Sequence, residues 1–102
     1  MLKEWTRSRR KSFDVTIFQT AEFKQKKGFK QVYRVIIEGH SREDCLNQVF
    51  KKFNVPDRIP NDYVGRFIST GDIVHIDQGR EGQFYYQLRP EGWKRINRIH
   101  IR

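Results

Sequence analysis

Hydrophobic and polar residues alternate along two stretches near the start of the chain. Residues 13–20 begin Phe-Asp-Val-Thr-Ile, which is the period-two pattern of a half-buried β-strand. Residues 31–38 are rich in β-branched and aromatic side chains and favour a second strand. Between them, residues 22–30 form a lysine-rich segment with Gly28 at a turn. The two strands are therefore predicted to form a hairpin with a long basic loop.

The pattern changes to a helical period after this hairpin. Apolar residues recur at i, i+3, i+4 and i+7, which is one stripe of an amphipathic helix: Leu46, Val49, Phe50 and Phe53. Ser41, followed three residues later by Asp44, resembles a capping box at the helix start. Asn54, with Pro56 soon after, closes the helix. The spacing predicts a helix over residues 42–53.

The second half of the chain is punctuated by proline and glycine. Two prolines stiffen a loop at residues 56–63, and the glycine-flanked segment 78–82 reads as a hairpin turn. Apolar, β-branched and aromatic segments around these turns predict three more strands, at residues 73–77, 83–88 and 93–101.

These elements give the order β-β-α-β-β-β and an α+β fold. We expect one amphipathic helix to pack on a mostly antiparallel sheet that curls towards a small barrel. The chain has 102 residues, which is the usual size of one domain. Residues 1–12 show no clear period and are predicted to be a basic N-terminal arm, followed by a single domain over residues 13–102.

Composition predicts which residues form the core and shows how charge is distributed along the chain. Aromatic residues make up 14% of the chain, so the core is expected to be largely aromatic. The net charge is +9, divided as +6 in residues 1–30, −1 in residues 31–88 and +4 in residues 89–102. Basic ends around a neutral centre predict one basic face if the two ends lie side by side. Such a face attracts acidic proteins, nucleic acid or anionic lipid.

Targeting signals and disulfides are not indicated. The first residues are followed by charges rather than an apolar run, no stretch has the roughly 20 apolar residues of a membrane span, and a single cysteine cannot form an internal disulfide. We therefore expect a cytoplasmic protein.

The sequence does not point to a catalytic, cofactor or metal site. His40, His75 and His100 do not have the spacing of metal ligands, and His75 is expected to face solvent from a strand. Cys45 lies in the first helical turn, where the dipole can activate a thiol, but no matched base is apparent. The aspartates fall at turns, where they usually cap backbone amides. No enzymatic activity is predicted.

Basic residues interleaved with aromatic ones are the remaining chemical signal. Cations beside exposed aromatic rings can bind nucleic acid by combining phosphate contacts with base stacking, although Phe84, Tyr86 and Trp93 are expected to serve the core. Arg66, on a loop after a glycine, can form a bidentate ion pair with a carboxylate inside the domain or on a partner. The internal role is favoured. The candidate partner-binding residues are Arg7, Arg9, Arg10, Lys11, Lys24, Lys26, Lys27, Lys30, Arg66, Lys94, Arg95 and Arg98.

Three segments of the C-terminal 60 or so residues resemble the YodL-like family of small bacterial domains. They are the helix segment 41–50, the following segment 53–57, and residues 62–74, which read Asp-Tyr-Val-Gly-Arg-Phe-Ile-Ser-Thr-Gly-Asp-Ile-Val; Tyr85-Tyr86 and residues 90–93 add to them. The resemblance implies a cytoplasmic, non-enzymatic protein of spore-forming bacteria that is linked to cell shape through the actin-like protein MreB. It supplies no site residues.

Two functions follow from these observations. The leading hypothesis is a binding and regulatory protein whose basic surface docks on an acidic surface of a cytoskeletal or cell-envelope partner. The alternative is a small RNA- or DNA-binding module that uses the same basic residues with exposed aromatic side chains. Neither the partner nor the oligomeric state follows from the sequence.

Overall fold

The computed structural model describes residues 10–21 and 27–97. Within them the order of elements is the predicted one, and the α+β class is confirmed. A short 3₁₀ turn, Pro56–Arg58, lies in the proline loop, and another, Gly79–Glu81, lies in the predicted hairpin turn. The described helix is α1 (Arg42–Lys52), and the strands are β1 (Lys11–Gln19), β2 (Lys30–Gly39), β3 (Ile73–Asp77), β4 (Gln83–Arg89) and β5 (Gly92–Ile96).

The five described strands form one antiparallel sheet in the order β2-β1-β3-β4-β5. Both predicted hairpins, β1-β2 and β3-β4, are present. The sheet is open, so the expectation of a barrel-like curl was wrong. Closure would require β2 to pair with β5, and the described residues of these two strands do not pair. The last strand was predicted over 93–101; its part beyond Asn97 lies outside the described residues.

The helix covers one face of the sheet. Phe13, Val15 and Ile17 of β1 are fully buried there, together with Val74 and Ile76, their cross-strand neighbours on β3. Two of the twelve buried hydrophobic residues in the described chain are aromatic. The expectation of a largely aromatic core was therefore wrong, because β-branched residues occupy the central strands and most rings lie at the margin of the core.

The helix buries a slightly different stripe from the predicted one. Leu46, Val49 and Phe53 are buried as expected, and Cys45 joins them. Phe50, which was predicted to be in the core, is 39% exposed. It lines a shallow groove beside Trp93, because the sheet faces the side of the helix that includes Cys45.

The start of α1 is capped as the sequence predicts. The Ser41 hydroxyl accepts a hydrogen bond from the Asp44 amide at 3.0 Å. The Asp44 carboxylate reaches back to the His40 amide at 2.9 Å, one residue earlier than in a standard capping box. This bond from the His40 amide lowers the pKa of Asp44. No helix in the described part of the chain is long and apolar enough to cross a membrane.

Candidate binding site

The predicted basic residues do not all lie together. Arg7, Arg9, Lys24, Lys26 and Arg98 are outside the described residues. In the β1-β2 hairpin, Lys11 pairs with Gly39 at one end and Lys30 with Gln19 at the other. These two ends are about 27 Å apart at roughly 3.4 Å per residue.

The remaining described candidates take separate positions. Arg10 lies beside Lys11, and Lys27 lies near Lys30 at the other end of the hairpin. On β5, Lys94 and Arg95 are consecutive, so their side chains point to opposite faces of the sheet. Because β1 starts and β5 ends at the same end of the sheet, the two described chain ends emerge on one side.

Arg66 lies in an internal network and not on the binding surface. Its Nη1 donates to both carboxylate oxygens of Asp72, at 3.0 and 3.2 Å. Its Nη2 donates to the backbone oxygen and hydroxyl of Thr20, at 3.1 and 3.2 Å. Asp72 is 2% exposed at its side chain and Arg66 is 30% exposed. The internal role that the sequence favoured for Arg66 is the one found.

Gln19 and Tyr63 complete this network and fix the loop around Arg66. The Gln19 amide nitrogen donates to Asp72 at 2.9 Å and to the Arg66 carbonyl at 3.0 Å, while its oxygen accepts from the Arg66 amide at 3.0 Å. The Tyr63 hydroxyl donates to the same carbonyl at 2.7 Å. Burial raises the pKa of Tyr63 to about 12, with the Asp72 charge adding to the effect. The hydroxyl is therefore a donor at neutral pH.

Gly65 lies where this loop passes closest to its anchors. A Cβ atom there would be 2.5 Å from the Gln19 side-chain oxygen and 2.6 Å from the Tyr63 hydroxyl. A side chain therefore does not fit without displacing the network. The loop held in this way leaves two apolar side chains in solvent on either side of Arg66: Val64 is 83% exposed and Phe67 is 52% exposed.

A basic groove of about 450 Å³ lies between the free edge of β2 and the end of α1. Its lining contains four cations, one carboxylate, one amide and two apolar residues that form a short floor. The cations are Arg10, Lys51, Lys52 and Arg58, the carboxylate is Glu38, the amide is Gln48, and the floor is Ile36 and Ile37. The formal charge of this lining is +3, from four cations and one carboxylate. We call this feature the β2 groove.

Side-chain hydrogen bonds shape the β2 groove. The Arg10 guanidinium and the Gln48 amide each donate to the Glu38 backbone oxygen at 2.8 Å. Arg10 is thereby held beside the edge strand, while Lys51 and Lys52 extend from the last turn of α1. Among the described residues that line the groove there is no histidine or cysteine. This set of groups suits the binding of an anionic surface.

Three of the four cations in the β2 groove were not among the predicted binding residues. The sequence places Lys51 and Lys52 in the last turn of the predicted helix and Arg58 in the loop that follows. A signal was present, because the end of a helix and the turn that follows it lie close together in space. The strand that forms the other wall, β2, was not linked to them by any local pattern.

Cys45 is not an activated thiol. It is buried in the core beneath α1, and burial raises its pKa to about 12. The role of nucleophile considered for it at the helix start is therefore incompatible with its surroundings, since the thiolate is the reactive form.

The comparison with family models matches the YodL-like domain to residues 5–98. The chain belongs to the YodL-like family. It is also 51% identical, over 90 residues, to the uncharacterized protein YodL of Bacillus subtilis strain 168, with 88% of this chain and 86% of that protein covered. No solved structure matches the chain.

The YodL-like match covers β1 and β2 as well as the C-terminal segments that carry the resemblance. The segment with the most specific resemblance, residues 62–74, contains Arg66 and Asp72 and is the loop held by the internal network. In this YodL-like chain, that segment is held in place by hydrogen bonds within the domain, whereas the β2 groove is formed by residues outside it.

Proposed function

We propose that this YodL-like domain is a non-enzymatic binding and regulatory protein that docks on an acidic surface of a protein partner. The observation that supports the proposal is the β2 groove, with four cations and one carboxylate around an apolar floor. By family resemblance, the partner is a component of the bacterial cell-shape machinery, with the actin-like protein MreB as the first candidate.

The positive potential of the groove favours association with acidic surfaces. Its cations lie within one groove, and charges within the screening length of about 8 Å at physiological salt act together. Clustered charges of one sign steer an oppositely charged partner and raise its association rate. The exposed floor at Ile36 adds apolar contact, which gives a bound protein segment something to bury.

The chemistry of the groove favours protein over nucleic acid. Among the described residues that line it there is no aromatic side chain, so bases have no ring on which to stack. A nucleic-acid function would depend on phosphate contacts alone in this groove, and its affinity would fall steeply with salt.

The test is a direct binding measurement between the purified domain and purified MreB. The double charge reversal Lys51→Glu/Lys52→Glu removes two cations from the groove. The matched control Lys30→Glu/Lys94→Glu changes the net charge equally at exposed positions outside it. We expect the groove variant to bind about tenfold or more weakly and the control to change by about threefold or less.

Circular dichroism establishes that both variants remain folded before binding is compared. Equal binding by wild type and the folded groove variant would remove the β2 groove as the docking site. Binding of a single-stranded RNA that the groove variant loses, without binding of the protein partner, would establish the nucleic-acid alternative instead.

A further inference from the structure

Among residues 10–21 and 27–97, no strand pairs with the outer edge of β2, which runs along the β2 groove. This strand is the terminal strand of the sheet and pairs with β1 on its other side. Its ten residues, Lys30–Gly39, contain no proline. An exposed edge of this length is a template for pairing with another extended chain, and natural edges usually carry features that prevent it.

The hydrogen bonds of Glu38 show which backbone groups face this edge. A carbonyl oxygen has two lone pairs, and those of Glu38 are occupied by the Arg10 and Gln48 side chains. The Glu38 carbonyl therefore points away from β1. Because successive residues of an antiparallel strand alternate in the direction of their backbone groups, the amides and carbonyls of Arg34 and Ile36 also point towards the free edge.

The side chains around the edge set the chemistry of the added strand. Ile36 is 59% exposed and lies on the sheet face opposite α1, whereas Lys51, Lys52 and Arg58 lie on the helix side of the groove. A strand beside β2 would turn alternate side chains to these two faces. Acidic residues suit the cationic side, and β-branched apolar residues suit the side of Ile36.

Arg34, two residues from Ile36 on the same sheet face, does not obstruct this arrangement. Arg34 forms a two-point ion pair with Asp14 of β1, at 2.9 and 2.6 Å. Its guanidinium is therefore directed towards the domain's own sheet, and it leaves the backbone edge at Ile36 accessible.

We propose that β2 accepts an extended acidic segment of a protein partner as a sixth, antiparallel strand, with its acidic side chains in the β2 groove. This inference rests on the proposed function and specifies its binding mode. Main-chain hydrogen bonds to Arg34 and Ile36 supply affinity, and the cations of the groove select segments that alternate acidic and β-branched residues.

The probe is a capped peptide of about nine residues that alternates glutamate with valine, a length that spans an ordinary strand. Two further peptides carry backbone N-methyl groups, one on its valines and the other on its glutamates. In an antiparallel pair the residue opposite Ile36 shares its sheet face, so the valine amides face β2. We expect methylation of valine to weaken binding by about tenfold or more and methylation of glutamate to have little effect.

Two protein variants test whether the peptide hydrogen-bonds to the β2 backbone by changing the protein instead of the peptide. Ile36→Pro removes an amide that does not pair with β1 and is tolerated at such an edge position, while Ile36→Thr keeps the amide. Loss of peptide binding in the first variant alone, with amide protection at Ile36 in the wild-type complex, supports strand addition.

The failure of strand addition differs from the failure of the proposed function. If both methylated peptides bind as well as the parent, and Lys51→Glu/Lys52→Glu still weakens all three, docking is electrostatic and strand addition is overturned. If no peptide binds at low salt, strand addition is overturned as well, while the MreB measurement judges the proposed function independently. The methylated peptides give this answer even if Ile36→Pro does not fold.

Discussion

Replacing Asp72 by asparagine tests whether the internal network maintains the fold. The Asp72 carboxylate accepts hydrogen bonds from Arg66, from the Gln19 side chain at 2.9 Å and from the Ser69 amide at 2.9 Å. Asparagine has nearly the same shape, but it has one acceptor oxygen and presents an NH₂ group. At least one donor then faces another donor, and the Arg66 guanidinium loses its counter-charge.

The magnitude follows from how deeply each partner is buried. Breaking a buried ion pair by removing one member costs about 3–5 kcal/mol. Arg66 is 30% exposed at its side chain, so water shares in the solvation of its guanidinium, although its buried Nε has no acceptor among the described residues. We therefore expect Asp72→Asn to lower the free energy of unfolding by about 3 kcal/mol, at the lower end of that range. This is a large part of the usual 5–15 kcal/mol for a domain.

Urea unfolding followed by circular dichroism at neutral pH measures this loss. We expect the midpoint to fall with little change in the slope, since the surface exposed on unfolding is unchanged. The control is Asp57→Asn, at an exposed aspartate in the 3₁₀ turn, which is expected to change stability by about 0.5 kcal/mol or less. A loss below about 1 kcal/mol for Asp72→Asn would show that the pair is not held as described and would refute the reasoning.

Three other variants or labels test separate parts of the structure. The Arg34 hydrogen bond lowers the pKa of Asp14, so the pair contributes stability above the unfolded pKa and loses it as pH falls through the lower folded value; urea unfolding of Arg34→Gln and wild type should differ near neutral pH and converge in strong acid. Because burial raises the pKa of Cys45 to about 12, a thiol reagent at mildly alkaline pH should react only after denaturant is added, and rapid reaction in the native state would contradict this burial. Gly65→Ala should lower stability by about 1–3 kcal/mol through overpacking, and an unchanged urea midpoint would show that Gln19 and Tyr63 can move aside.

Much of the fold could be predicted because its signals are local. The patterns of apolar and polar residues predict β1 and β2. The Ser41 hydroxyl likewise marks the start of α1 before any tertiary contact is known. The position of Phe50 could not be predicted in the same way. Its exposure depends on which side of the helix meets the sheet, and that orientation is decided by the whole core rather than by the period of the helix.

The pairing of distant strands also lies beyond local patterns. β1 pairs with β3, which lies more than 50 residues later in the chain. Because β1 thus lies between β2 and β3, β2 is left at one edge of an open sheet. The β2 groove depends on that edge, since Arg10, Lys51 and Arg58 come from three separate parts of the chain. Net charge by segment identified the basic ends but did not reveal a cluster that joins Arg10 of the basic N-terminal segment to Lys51, Lys52 and Arg58 of the nearly neutral centre.

The internal network and the β2 groove use arginine and lysine for different purposes, and this division can be tested with one pair of measurements. Asp72→Asn should lower stability and leave the affinity of the folded domain for the glutamate–valine peptide unchanged, because the network is formed by residues that do not line the groove. Lys51→Glu/Lys52→Glu should have the opposite effect: weaker peptide binding, with a smaller loss of stability that comes from the helix dipole at about 0.3–1 kcal/mol per charge.

If Asp72→Asn weakened peptide binding in a fully folded protein, the two features would be energetically coupled. The loop would then help to position the groove, and the division would be wrong. The expected independence has a structural basis, since Asp72 and Arg66 anchor the loop to the end of β1 at Gln19 and Thr20, whereas Arg10 lies at the opposite end of that strand. A local change at one end of a packed strand is not expected to alter charges at the other, because contributions from sites with no shared partners add independently.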